Sequence, residues 1–101
     1  MDRISQQVSN EIKNMMNCPT FKHQDLQDYW AELKTLEFEV SPDWAWIFQT
    51  IYIHACLKGY EESANWLKKL FEEQADPIQK IAYRHTYFYG KHLLQKAKQK
   101  V

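Results

Sequence analysis

Two glycines and three prolines are the chain's whole stock of backbone breakers in 101 residues. So few turn-formers exclude an all-β fold, which needs a turn every few residues, and favour long uninterrupted elements. Only two cysteines are present, Cys18 and Cys56, without the density of a disulfide framework or the Cys-x-x-Cys spacing of a zinc or redox site. They read as two ordinary thiols in a reducing, intracellular compartment. Net charge is also missing: 13 Lys and Arg balance 13 Asp and Glu, so no global pull toward nucleic acid or an anionic membrane follows. No run of about 18 apolar residues is found, and the opening Met1-Asp2-Arg3-Ile4-Ser5 lacks the apolar core of a signal peptide, so no membrane association is expected.

What the chain has is apolar and aromatic mass: 45% hydrophobic residues, with four Trp, six Tyr and five Phe. That composition suits one folded domain over 1–101. Apolar positions recur at helical spacing. Ile4, Val8, Ile12 and Met15 predict a helix over 3–16, ended by Asn17-Cys18-Pro19-Thr20, with Thr20 able to cap the next. Leu26, Tyr29, Trp30, Leu33 and Leu36 mark a second helix, after which 36–40 alternate and could be extended. Ser41-Pro42-Asp43-Trp44 combines a capping hydroxyl, a proline at the first helical position and an acid at the positive helix end. A third helix with Trp44, Ile47, Phe48, Ile51, Ala55 and Cys56 on its stripe runs from there to Lys58-Gly59. A fourth, 60–73, carries Ala64, Leu67, Leu70 and Phe71. Asp76-Pro77 opens a last helix over 77–98, with Ile78, Ile81, Ala82, His85, Phe88 and Tyr89 on one side and Tyr83, Tyr87 and Leu94 spreading the apolar face wider than a surface helix needs. The fold class is therefore all-α, an antiparallel bundle of four to five helices with a helical hairpin around Gly59.

The segment His54-Ala55-Cys56-Leu57-Lys58-Gly59-Tyr60-Glu61, followed by Ala64, Leu67 and Ala75-Asp76-Pro77, resembles part of an ankyrin repeat, and implies a helix–turn–helix there. No Thr-Pro-Leu precedes it and no second copy follows at that family's period. Phe48, Ile51, Gly59, Ala64 and Pro77 are likewise similar to part of a tetratricopeptide repeat, with the aromatics out of register. Neither resemblance assigns a family.

No catalytic, cofactor or metal residue is expected. His85 and His92 are seven apart rather than the four a helical metal pair prefers, and no carboxylate follows Asp76. Cys56 and His54, two apart on a helix, point different ways. Seven residues separate Arg84 from His92, too many for the Arg–His motif of HEPN-type ribonuclease domains.

Charge is segregated, however. Between Asp25 and Asp43 lie six acids (Asp25, Asp28, Glu32, Glu37, Glu39, Asp43) and one base, Lys34. The last 25 residues hold Lys80, Arg84, Lys91, Lys96, Lys98 and Lys100 and no acid. The basic helix is expected either to lie against the acidic one within the monomer or to meet an acidic partner, a phosphate backbone or the acidic helix of a second subunit. Trp46, Trp66, Tyr83, Arg84, Tyr87 and Lys91 are the candidate partner-binding residues, Trp46 and Trp66 because each falls off the main stripe of its own helix. The expectation is a small protein-interaction or regulatory module, such as an inhibitor, an adaptor or an accessory protein of a virus or mobile element, with self-association as a two-fold dimer. A nucleic-acid-binding protein using the basic last helix is the alternative.

Overall fold

The computed structural model describes residues 3–35 and 44–99, with the side chain of Trp44 left out, and every regular element among them is a helix. In order these are α1 (Arg3–Asn17), α2 (His23–Thr35), α3 (Trp44–Lys58), α4 (Glu61–Gln74), α5 (Pro77–Ala82) and α6 (Arg84–Gln99). The possible strand at 36–40, the cap at Ser41–Asp43 and the acids Glu37 and Glu39 lie outside the described residues.

The α1 boundaries agree with the sequence pattern, but the buried stripe is rotated. Ser5, Val8, Ser9, Ile12 and Met16 are buried whereas Ile4 is exposed, because the two serines let the backbone of α1 approach its neighbours closely. Thr20 does not cap α2. Lys22 stands before the helix, and its backbone N–H donates to the Asp25 carboxylate at 3.0 Å, the reciprocal half of a capping box.

α3 is apolar on nearly every side and is the hub of the fold. Ile47, Phe48, Ile51, Tyr52, Ala55 and Cys56 are all buried, and α1, α4 and α6 pack directly on it. The contacts fix the directions. Glu11 meets Tyr29 while Phe21 follows Cys18, so α1 and α2 are antiparallel. Phe21 packs at a tilt on Tyr60 and Trp30 meets Phe48 edge-on, so α2 runs against α3. Both cysteines are free thiols, Cys18 exposed and Cys56 buried.

The hairpin around Gly59 forms as the sequence implies. Gly59 has φ +78°, Tyr60 N–H donates to Ala55 C=O at 2.9 Å and Gly59 N–H to Cys56 C=O at 3.1 Å, the paired bonds of a Schellman stop. A side chain at this position would be strained by the backbone and would also meet Ala97. α5 opens on a complete capping box between Asp76 and Gln79, with Pro77 at the first helical position.

The last helix departs most from expectation. It breaks at Tyr83 (φ −103°, ψ 10°) into α5 and α6, where Tyr83 sets its ring edge-on to Phe71 at 5.8 Å and α6 turns to lie along α3. Ile78, Ile81, His85, Phe88 and Tyr89, expected inside, are exposed. The inward stripe is Tyr83, Tyr87, Gly90, Leu94 and Ala97, at spacings of four, three, four and three, so the expected widening residues Tyr83, Tyr87 and Leu94 face inward and the expected main side does not. Gly90 allows this. A Cβ there would stand 2.3 Å from the buried Tyr52 ring, so α6 closes on α3 only with no side chain at this position. Gly90→Ala is therefore expected to destabilise by about 1–2 kcal/mol in thermal or urea melts. On an unobstructed helix the same change stabilises by about 1 kcal/mol, and such a gain would contradict the close approach.

Candidate functional site

The titratable side chains able to carry chemistry are mostly committed to the fold. His23 Nδ1 lies 2.8 Å from Ser63 Oγ, and its ring meets Trp66 edge-on at 5.7 Å. Ser63 is only 1% exposed, so the pair fastens α2 to α4 and offers no accessible nucleophile. His54 Nε2 lies 3.0 Å from Asn17 Oδ1, tying α3 to α1, and burial with Lys58 and Lys13 nearby lowers its pKa. Burial pushes the Cys56 thiol up to about 11, which keeps it protonated and unreactive at neutral pH. His85 and His92 are exposed on α6. Among the described residues no cluster of three His, Cys, Asp or Glu is placed to hold a metal, and no helix is long and apolar enough to cross a membrane.

The six candidate partner-binding residues divide. Trp66 is half-buried and packs edge-on against Trp30 at 6.3 Å as well as against His23, so it belongs to the α2–α4 seam. Trp46 is exposed on α3. Tyr83 occupies the α5–α6 break. Arg84, Tyr87 and Lys91 do come together. With Lys68, Phe71, Glu72, Lys80, Ile81 and Phe88 they line a furrow of about 500 Å³ between α4 and α5–α6. A second depression of about 390 Å³ shares Lys68, Tyr87 and Lys91 and extends the furrow along α6 to Leu94, Gln95 and Lys98.

Tyr87 is the fixed centre of this furrow. Its hydroxyl accepts from Gln49 Nε2 at 3.2 Å, its ring meets Tyr52 at 4.9 Å and Phe71 at 5.7 Å, and Lys68 Nζ sits 5.3 Å over its face. Burial raises its phenol to about 12, so it stays neutral. The walls carry four bases and one acid. Lys68 has Glu72 at 3.9 Å one turn away, and Lys98 bridges to Glu61 on α4 at 2.5 Å. Lys80, Arg84 and Lys91 make no ion pair among the described residues.

Among the described residues the segregated charge is thus not resolved by α6 lying on α2. α6 packs on α3 and pairs across to α4, while Asp25 and Asp28 bond locally to Lys22 and Gln24. Lys68, Lys80, Ile81 and Phe88 escaped the sequence reading of the site. Their signal was present as Lys80-x3-Arg84-x6-Lys91 beside Ile81-x6-Phe88, two parallel stripes along one side of a helix. Comparison with known proteins finds no family model, no curated protein and no solved structure that matches this chain.

Proposed function

We propose that this chain is a protein-interaction module, of the adaptor or inhibitor kind, which docks its partner on the α5–α6 face. The observation that carries the reading is the exposure of Ile78 (78%), Ile81 (71%) and Phe88 (66%) on two successive helices, beside the exposed Lys80, Arg84 and Lys91. Each such side chain forgoes about 1.5–3 kcal/mol of burial, and an apolar centre with a charged rim is the usual anatomy of a docking patch. Self-association as a two-fold dimer is the form of this reading in which the partner is a second copy. Two free thiols, one of them exposed, suit a reducing intracellular compartment.

The test is retention of a partner from native extract on immobilised wild-type chain and on the double variant Ile81→Asp/Phe88→Asp. Both positions are solvent-exposed, so the variant should keep its helical spectrum and melting temperature. The expected result is a protein held by the wild type and lost by the variant. Equal retention by both would overturn the reading. Retention abolished by nuclease would favour nucleic-acid binding by the basic helix instead.

A further inference from the structure

We infer that the furrow between α4 and α5–α6 receives an amphipathic helix of a partner protein, apolar along its centre and acidic along the edge that meets α5–α6. The inference rests on the reading of the chain as a protein-interaction module and names the partner's chemistry. Shape comes first. α4 and α6 run antiparallel, since Phe71 meets Tyr87 at one end and Glu61 meets Lys98 at the other, and both rest on α3. Two neighbouring helices on a common third leave a channel that a further helix fits, the helix-in-groove mode of recognition. From Arg84 to Lys98 the channel is about 21 Å long, matching a partner helix of roughly four turns.

The surfaces then set the chemistry. The furrow's apolar floor is made by exposed Ile81 and Phe88 with half-buried Tyr87, backed by the fully buried Phe71. On the α5–α6 wall Lys80, Arg84 and Lys91 follow one another at four and seven residues with no ion-pair partner among the described residues. The α4 wall is different, with exposed Glu72 beside Lys68 and exposed Glu61 in the depression that continues the furrow. A helix with acids on one edge satisfies the first wall without approaching the second. A nucleic-acid strand would thread its phosphates past those carboxylates, and Tyr87 has no free face on which a base could stack, because Lys68, Tyr52 and Phe71 surround its ring. A second copy offers α2 as its described acidic helix, with Asp25, Asp28 and Glu32 exposed, but α2 exposes no large apolar side chain to meet the floor.

The experiment is selection of a displayed library of randomised helical peptides of about 16 residues on the full chain, followed by affinity measurement on furrow variants. Enriched peptides should carry Glu or Asp at four- and seven-residue spacing beside a Leu, Ile or Phe stripe. Their affinity should fall about tenfold or more on Arg84→Glu/Lys91→Glu, and should weaken with salt. Enriched peptides that are apolar but neutral or basic, lost on Ile81→Asp yet unaffected by Arg84→Glu/Lys91→Glu, would overturn this inference and leave the docking reading standing. No enrichment, or peptides indifferent to all furrow variants, would overturn both. Displacement of the peptides by single-stranded or duplex oligonucleotides, with steep salt dependence, would overturn both in favour of nucleic acid.

Discussion

Replacing Phe71 by alanine is expected to cost about 4 kcal/mol and to lower the melting temperature by roughly 15–30 °C. Phe71 is fully buried, and its ring meets Tyr83 at 5.8 Å and Tyr87 at 5.7 Å, so one side chain on α4 fastens both sides of the α5–α6 break. Removing it leaves a cavity where three aromatic rings converge, and a domain of this size has only about 5–15 kcal/mol to lose. Phe71→Leu keeps most of the volume and is expected to lose only about 1 kcal/mol. The contrast separates packing from backbone effects in a pair of thermal melts. An alanine variant that melts within a few degrees of wild type would mean that the last two helices are not fastened through this ring.

Raising the pH from 9 toward 12 is expected to destabilise the chain progressively. Cys56 and Tyr87 are held by burial at about 11 and about 12, above their ordinary values of 9.0 and 10.0, and burial shifts Tyr52 upward as well. The sign follows from linkage: the unfolded chain gives up these protons at lower pH than the folded one. Their contribution to stability is whole below about pH 9 and is lost as pH rises through 11 for the thiol and 12 for the phenol. Together they are worth on the order of a few kcal/mol, enough to matter against the marginal total. Tyr52 and Cys56 stand one turn apart on α3, and Tyr52 O–H donates to the Tyr87 carbonyl at 3.5 Å, so all three ionise at the seam between α3 and α6. Phenolate absorbance and helical circular dichroism, followed together through the titration, check this. The buried tyrosines should ionise as the helix signal collapses. Phenolate signal complete near pH 10 with the helices intact would contradict it.

The helix boundaries that were legible, unlike the break at Tyr83, are those that short-range chemistry writes. Asp76-Pro77 with Gln79 makes a capping box, and Lys58-Gly59 makes a Schellman stop, each set by a few neighbouring residues. Which face of a helix turns inward was less legible, because the pattern weighs large apolar side chains, whereas close helix contacts are made by small ones. Ser5 and Ser9 on α1, Ser63 on α4 and Gly90 on α6 are all buried, and none would be counted in a stripe of Ile, Leu and Phe. In the last helix this substitution of small for large moved the predicted face and hid the exposed Ile81 and Phe88. The furrow was half legible. Arg84, Tyr87 and Lys91 stood out by charge and aromaticity, but Lys68 reaches the site from a helix separated from them by the α5 break, a proximity that only tertiary packing supplies. Trp66 was misplaced for a related reason, since its partners His23 and Trp30 come from α2.

The central claim is that the α4 and α5–α6 furrow is the surface this chain presents to its partner, and amide chemical-shift mapping with a selected acidic helical peptide tests it most directly. The account predicts shifts that saturate together and concentrate at Lys68–Glu72 and Ile78–Lys91, with little change along α1 and the outer side of α2. Shifts centred instead on α1 and α2, or on exposed Trp46, with the furrow amides unmoved, would contradict it.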